Sequence, residues 1–186
     1  MNGIEEYRLM YINHGLKESH KRFHECLKTK DTQNSISITA SLSELLMWIC
    51  ISDEWHRLNN NDGGSYDNLK SDTPGGRYVK GLRYAFNSIK HVMSFIKLIG
   101  TTEHKEIFIK GYYVEDYTSE IIWLKADPLI EHDQKFENQR KNYIEYVQGK
   151  AVVKTIDEAY RFLMAEYTKV KFKSYDERNS AKEETE

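Results

Sequence analysis

Apolar residues recur every three or four positions through most of this chain, a spacing that predicts a mainly helical protein. The clearest stripe runs from Gly76 to Ile96, where Val79, Leu82, Phe86, Ile89, Met93 and Ile96 define one buried face. A first helix is expected from about Ile4 to Lys28, with Leu16, Phe23 and Leu27 inward, and a second from about Ser35 to Asn59. In the second, Ile38, Leu42, Leu45, Leu46, Trp48 and Ile49 cover more than half the circumference, which makes that helix central. A last helix opens at Thr155-Ile156-Asp157-Glu158, with acid near its positive end, and continues through Ala159, Phe162, Leu163 and Val170.

Between these stripes the pattern breaks. The stretch Asn59–Gly76 is polar and Gly-rich and reads as one long loop, a kind of segment that is usually functional or mobile above about 12 residues. The Gly76 helix is expected to close near Gly100 as its C′ glycine. The period then falls toward two over 105–114 and 120–124, rich in β-branched and aromatic residues, which predicts a two-stranded hairpin. A lone hairpin is marginal in water, so this one must pack on the helices. The segment Asp133–Tyr146 is polar and mixed and fits one short helix or strand. The expected architecture is a bundle of four to five helices with a small appended β-hairpin. Residues 1–173 form a single domain with the hairpin near 105–125, and 174–186 form a charged, disordered tail.

A chain of 186 residues suits one domain. Its formal net charge of -2 argues against bulk nonspecific binding to nucleic acid, so any such site must be a local patch. Thirteen tyrosines and three tryptophans are a heavy aromatic load, suited to cores and to half-wet interfaces. Cys26 and Cys50 form no CxxC pair. With no signal-peptide pattern and no apolar run near the roughly 18–20 residues of a membrane span, the expectation is a cytoplasmic protein with reduced thiols and no membrane contact. The absence of GxxxxGK(S/T), GxGxxG and GxSxG patterns excludes the nucleotide and hydrolase folds that depend on them, and no cofactor is implied.

Three polar groupings carry candidate chemistry. Arg83, Asn87 and His91 fall at about 100°, 140° and 180° from Leu82, a stripe turned away from the core of their own helix. Histidine works as acid or base near neutral pH and arginine stabilises phosphorane-like charge, a pairing suited to RNA cleavage by its own 2′-hydroxyl. Glu44, Asp53, Glu54 and His56 form an acidic and imidazole group on the second helix; Glu44, beside the apolar stripe, either pairs with Arg83 or His91 or points to water from the rim. His20 and His24 have the spacing of a metal-ligating pair, with His14, His104 or His132 as the third ligand. Lys17, Lys21 and Glu25 surround that pair and favour a plain solvated face, so no metal is expected there.

The segment Leu82-Arg83-Tyr84-Ala85-Phe86-Asn87-Ser88-Ile89-Lys90-His91 resembles the signature helix of HEPN proteins, the helical nucleotide-binding domains of prokaryotes and eukaryotes. Asn87 and His91 match the polar residue and the histidine of their motif, while Phe86 stands at the arginine position and Arg83 is the nearest arginine. A second helix with Glu44, Trp48 and Asp53, a Trp123 strand and a closing segment over 149–159 are similar to uncharacterised bacterial members. The resemblance implies a homodimer through the motif helix, with His91 as acid or base, Arg83 as charge stabiliser, Asn87 as positioner and Glu44 or Asp53 orienting them. Active members are metal-independent ribonucleases; others only bind. Phe86 shifts the expectation toward RNA or nucleotide binding in a dimer groove, with weak or absent cleavage. The alternative is a non-enzymatic interaction module, antitoxin-like or phage-encoded, which binds a cognate protein through Tyr112, Tyr113 and Tyr117.

Overall fold

Buried positions three and four apart organise every long helix. The computed structural model describes residues 3–28, 34–92, 99–101, 121–126 and 134–170. Helix α1 (Gly3–Lys28) buries Leu9, Leu16 and Phe23 against α2 (Asn34–Asn59). In α2, Leu42, Leu45, Leu46 and Ile49 are fully buried, each worth about 1.5–3 kcal/mol of transfer free energy. By length and composition α2 is apolar enough to cross a membrane, which the sequence reading did not allow for. Half of that apolar stretch is instead covered by the bundle, and its last turns carry Asp53, Glu54, His56 and Arg57.

The long loop expected over Asn59–Gly76 is not a loop. A 3₁₀ turn (Asp62–Gly64) leads into α3 (Ser65–Asp72), and α4 (Pro74–Val92) begins two residues later. Asparagine, aspartate and glycine masked this helix because they also serve as helix-start chemistry. Gly64, at φ 82°, turns the chain into α3, and the Asn61 side chain accepts from the Asp67 backbone N–H and donates to the Asp67 carboxylate. Tyr66 and Lys70 then face inward one turn apart. A Cβ on Gly76 would collide with the backbone of Lys70, so glycine is what lets α3 and α4 meet at so sharp a corner.

Helix α4 packs on α2, α3, α5 (Gln134–Tyr146) and α6 (Val152–Lys169), and α6 closes the bundle against α1 and α2. The small β element pairs β1 (Ile99–Thr101) with β2 (Ile121–Trp123) in antiparallel register, Ile99 opposite Trp123. Gly100, expected to cap the motif helix, stands in that ladder opposite Ile122. The predicted first hairpin strand over 105–114 and the tail over 174–186 lie outside the described residues.

Strand β2 fixes the start of α6. Trp123 is fully buried, donates its indole N–H to Thr155 Oγ1 at 2.7 Å, and bonds through its backbone to Lys150 and Gly149. Tyr143 donates to the Leu124 carbonyl at 2.7 Å, so α5, β2 and α6 share one set of hydrogen bonds. These ties open α6 at Val152 rather than at Thr155, which carries Asp157 past the first turn and out of the helix-end position expected for it. The fold is the helical bundle with a small β element that the periodicity predicted.

Candidate functional site

The C-terminal half of α2 carries a carboxylate that the fold surrounds with donors. Asp53 retains 2% of its side-chain exposure, yet every neighbour that reaches it brings a proton or a positive charge. On Oδ1 it accepts from Tyr66 Oη at 3.0 Å and from Lys70 Nζ at 2.8 Å; on Oδ2 it accepts from Arg83 Nη2 at 2.7 Å. Arg83 Nη2 also reaches Glu54 Oε2 at 3.3 Å, and Glu54 is gripped by Arg57 at 2.5 Å. Donors on α3 and α4 thus converge on an acceptor on α2. A buried carboxylate is tolerated when its lone pairs are filled this way.

The protonation states follow from the same contacts. Burial works against the Arg83 charge, but Asp53 and Glu54 outweigh it and hold the guanidinium above its ordinary value. The Arg57 hydrogen bond draws Glu54 below the usual carboxylate range. Burial raises the Tyr66 hydroxyl well above its normal range, helped by Asp53, and raises the Cys50 thiol to about 12. Cys50 is therefore an inert buried thiol. His56, fully buried between Trp55 and Tyr66, is pushed down to about 4 by desolvation. Neither of its ring nitrogens meets a hydrogen-bond partner among the described residues.

Of the sequence candidates, the structure brings Asp53 and Arg83 together and separates the others from them. Arg83 keeps 30% of its side-chain exposure, so it is not the free outward group its helical angle suggested. The packing of α2 against α4 covers it. Asn87 is likewise engaged, donating to Gln139 Oε1 of α5 at 2.5 Å. Among the described residues Glu44 bonds neither Arg83 nor Asn87: it forms a two-pronged ion pair with Arg22 of α1. His91 occupies the last turn of α4, and its side chain lies outside the described residues.

A second grouping corrects the solvated-face reading of His20 and His24. Both rings are partly buried, and each places Nε2 2.8 Å from the same atom, Asp157 Oδ1. The three candidate ligand atoms lie within 4.8 Å of one another. His20 stacks flat on Tyr160, with centroids 3.9 Å apart and planes 13° apart. Burial draws the His20 imidazole below its ordinary value against the opposing hydrogen bond from Asp157. Among the described residues the third group is Asp157 and not His14, which is exposed; His104 and His132 lie outside the described residues. Asp157 escaped notice because more than 130 residues separate it from the pair. The Asp157–Tyr160 spacing, one turn apart on α6, was the available signal.

Comparison with family models, with curated proteins and with solved structures finds no match for this chain. The HEPN resemblance of the α4 segment thus rests on its sequence alone; in the structure Asp53 of the second helix pairs with Arg83 of α4.

Proposed function

We propose that this bundle is an RNA-binding module whose ribonuclease activity is weak or absent. The charge distribution of α4 carries the reading. Its 19 residues include Arg77, Lys80, Arg83 and Lys90 and no acid. By helical position these four, with Asn87 and His91, fall within about 140° of arc. Arg77 is exposed and anchored at 2.8 Å on the Ser71 carbonyl, and Lys80 reaches Ser71 Oγ at 3.2 Å. On a chain of net charge -2, α4 thus offers basic side chains with no acid of its own, a local footprint for a phosphodiester backbone.

The same geometry argues for binding over cleavage. A guanidinium stabilises a developing phosphorane only with charge left to give. Arg83 already answers two carboxylates, and Phe86 leaves the motif's own arginine position apolar, packed against the core. Loss of one such donor typically costs a factor of about 10²–10³ in rate.

Fluorescence anisotropy with a labelled single-stranded RNA in EDTA tests the reading, with gel analysis of the same samples for cleavage. Wild-type protein is expected to bind and leave the RNA largely intact. Arg77→Ala with Lys80→Ala is expected to weaken binding and to flatten the plot of log affinity against log salt by about 1.4, two phosphate contacts at about 0.7 each. His91→Ala is expected to weaken binding further. Wild-type protein that binds no RNA, or variants that bind as wild type does, would overturn the proposal.

One observation favours a partner-binding module instead. Ile4, Tyr7, Met10 and Tyr11 of α1 and Leu58 of α2 are exposed. Tyr11 and Leu58 help line a groove of about 450 Å³ whose floor includes Ile12 and Trp55. An exposed apolar grouping of this kind marks interaction surfaces. Absence of RNA binding by the wild type would leave that reading in place.

A further inference from the structure

We infer that His20, His24 and Asp157 form a binding site for a divalent transition-metal ion of the zinc class, joining α1 to α6 with open positions toward solvent. The inference is independent of the α4 reading, since no residue is shared between the two.

The donor set is the first ground. Two imidazole nitrogens and one carboxylate oxygen suit zinc and its neighbours, whereas calcium and magnesium prefer oxygen alone. Histidines four apart place two rings on one helix face, and Asp157 arrives from the opposing helix to make a third corner.

Convergence is the second ground. Ligand atoms held about 2.0–2.2 Å from one ion stand about 3.0–3.5 Å from each other. Here two of the three edges are 2.8 Å and the third is within 4.8 Å. An ion entering between the three atoms needs Asp157 Oδ1 to retreat by a few tenths of an ångström and the two Nε2 atoms to close toward each other, both side-chain motions.

Preorganisation is the third. Both histidines aim the same nitrogen, Nε2, at the same oxygen, and the Tyr160 stack restricts rotation of the His20 ring.

Charge at the site runs both ways. Asp157 supplies a negative charge, and Arg161, one turn on, opposes a cation, although Glu158 lies 3.5 Å from the Arg161 guanidinium and offsets it in part. His20, His24 and Asp157 keep 20%, 31% and 27% of their side-chain exposure. Three protein ligands with an approach from solvent describe an open centre, whose remaining positions take water or a small anionic ligand, rather than a closed four-ligand structural site.

The test uses the full chain without a polyhistidine tag, stripped with EDTA and dialysed. Zinc is titrated in competition with a chromophoric chelator, and thermal melts are recorded with and without it. Wild-type protein is expected to bind one Zn²⁺ per chain and to gain about 5–10 °C in Tm when free zinc is a hundredfold above Kd. His24→Ala and Asp157→Asn are expected to weaken binding by at least about tenfold, and His14→Ala to leave it unchanged. Should a variant fail to fold, the Co²⁺-loaded wild type decides: visible d–d bands of a low-coordinate nitrogen–oxygen site support the inference. A featureless Co²⁺ spectrum, no stoichiometric zinc, or equal binding by His24→Ala and Asp157→Asn would reduce the cluster to a His–Asp–His hydrogen-bond triad and overturn it.

Discussion

Asp53 and Asp157 are both carboxylates that gather partners from other helices, and they do so for opposite ends. Asp53 is sealed among a tyrosine, a lysine and an arginine, with both oxygens occupied. Asp157 is a quarter exposed, and its two described side-chain partners are imidazoles aimed at one oxygen. Fixed cations make the first a structural junction, because they cannot give way to a ligand without stranding a buried charge. Histidines make the second exchangeable, because an imidazole N–H can be replaced by a metal ion that satisfies both nitrogen and oxygen. Burial and partner type, rather than the number of polar contacts, separate a joint from a site.

The sharpest way to break this contrast is to empty the joint. Asp53→Ala leaves Lys70 and Arg83 facing each other with their common acceptor gone, Lys70 at only 9% side-chain exposure. Removing one partner of a buried ion pair typically costs about 3–5 kcal/mol. For a domain of this size that is a fall in Tm on the order of 10 °C, read by calorimetry. Asp157→Asn, at the partly exposed cluster, is expected to move the metal-free Tm far less. Equal losses in the two variants would show that the clusters do not differ in kind.

The next effect is one of pH. The unfolded chain takes up a proton at His56 as pH falls through about 6.5. The folded imidazole, desolvated among Trp55 and Tyr66, waits until about 4. Its nearest opposing influences are Asp53, which favours the charged form, and Lys169, which disfavours it. Below about pH 6.5 the unfolded state binds more protons, so stability is whole above that value and is lost as pH drops toward 4. The shift corresponds to roughly 3 kcal/mol. His20, also lowered, adds a loss of the same sign. Urea melts at pH 7 and pH 4.5 are expected to show the loss in wild type and a smaller one in His56→Phe. An unchanged slope in the variant would remove His56 as its source.

Much of the bundle was legible because long amphipathic helices repeat one signal many times. The bounds of α1 and α2 fall within a residue of those expected, and Val79 and Leu82 are buried as their spacing required. Short elements carry too few repeats. Helix α3 has eight residues, and its Gly-Gly-Ser start resembled a loop until Tyr66 and Lys70 were seen facing Asp53. At the site, an acid of α2 against Arg83 was expected, but Glu44 was the one argued to need it; Asp53 takes that place because α3 and α4 close over the last turns of α2. The Asp157 partnership was hidden in the way α6 lies across α1, a tertiary placement that no local period encodes.

The mildest test returns to Glu44, the acid that was expected to serve the motif helix and instead pairs with Arg22. Both side chains are more than a third exposed, at 36% and 46%, so water and salt screen the attraction despite its two-pronged geometry. Glu44→Ala is therefore expected to cost under about 1 kcal/mol, within about 2–4 °C in Tm, and to vanish in high salt. RNA affinity is expected to stay at the wild-type level, since no hydrogen bond connects Glu44 to α4 among the described residues. A drop in affinity like that of the Arg77 and Lys80 double variant would place Glu44 back beside the motif stripe and contradict the geometry that assigns it to α1.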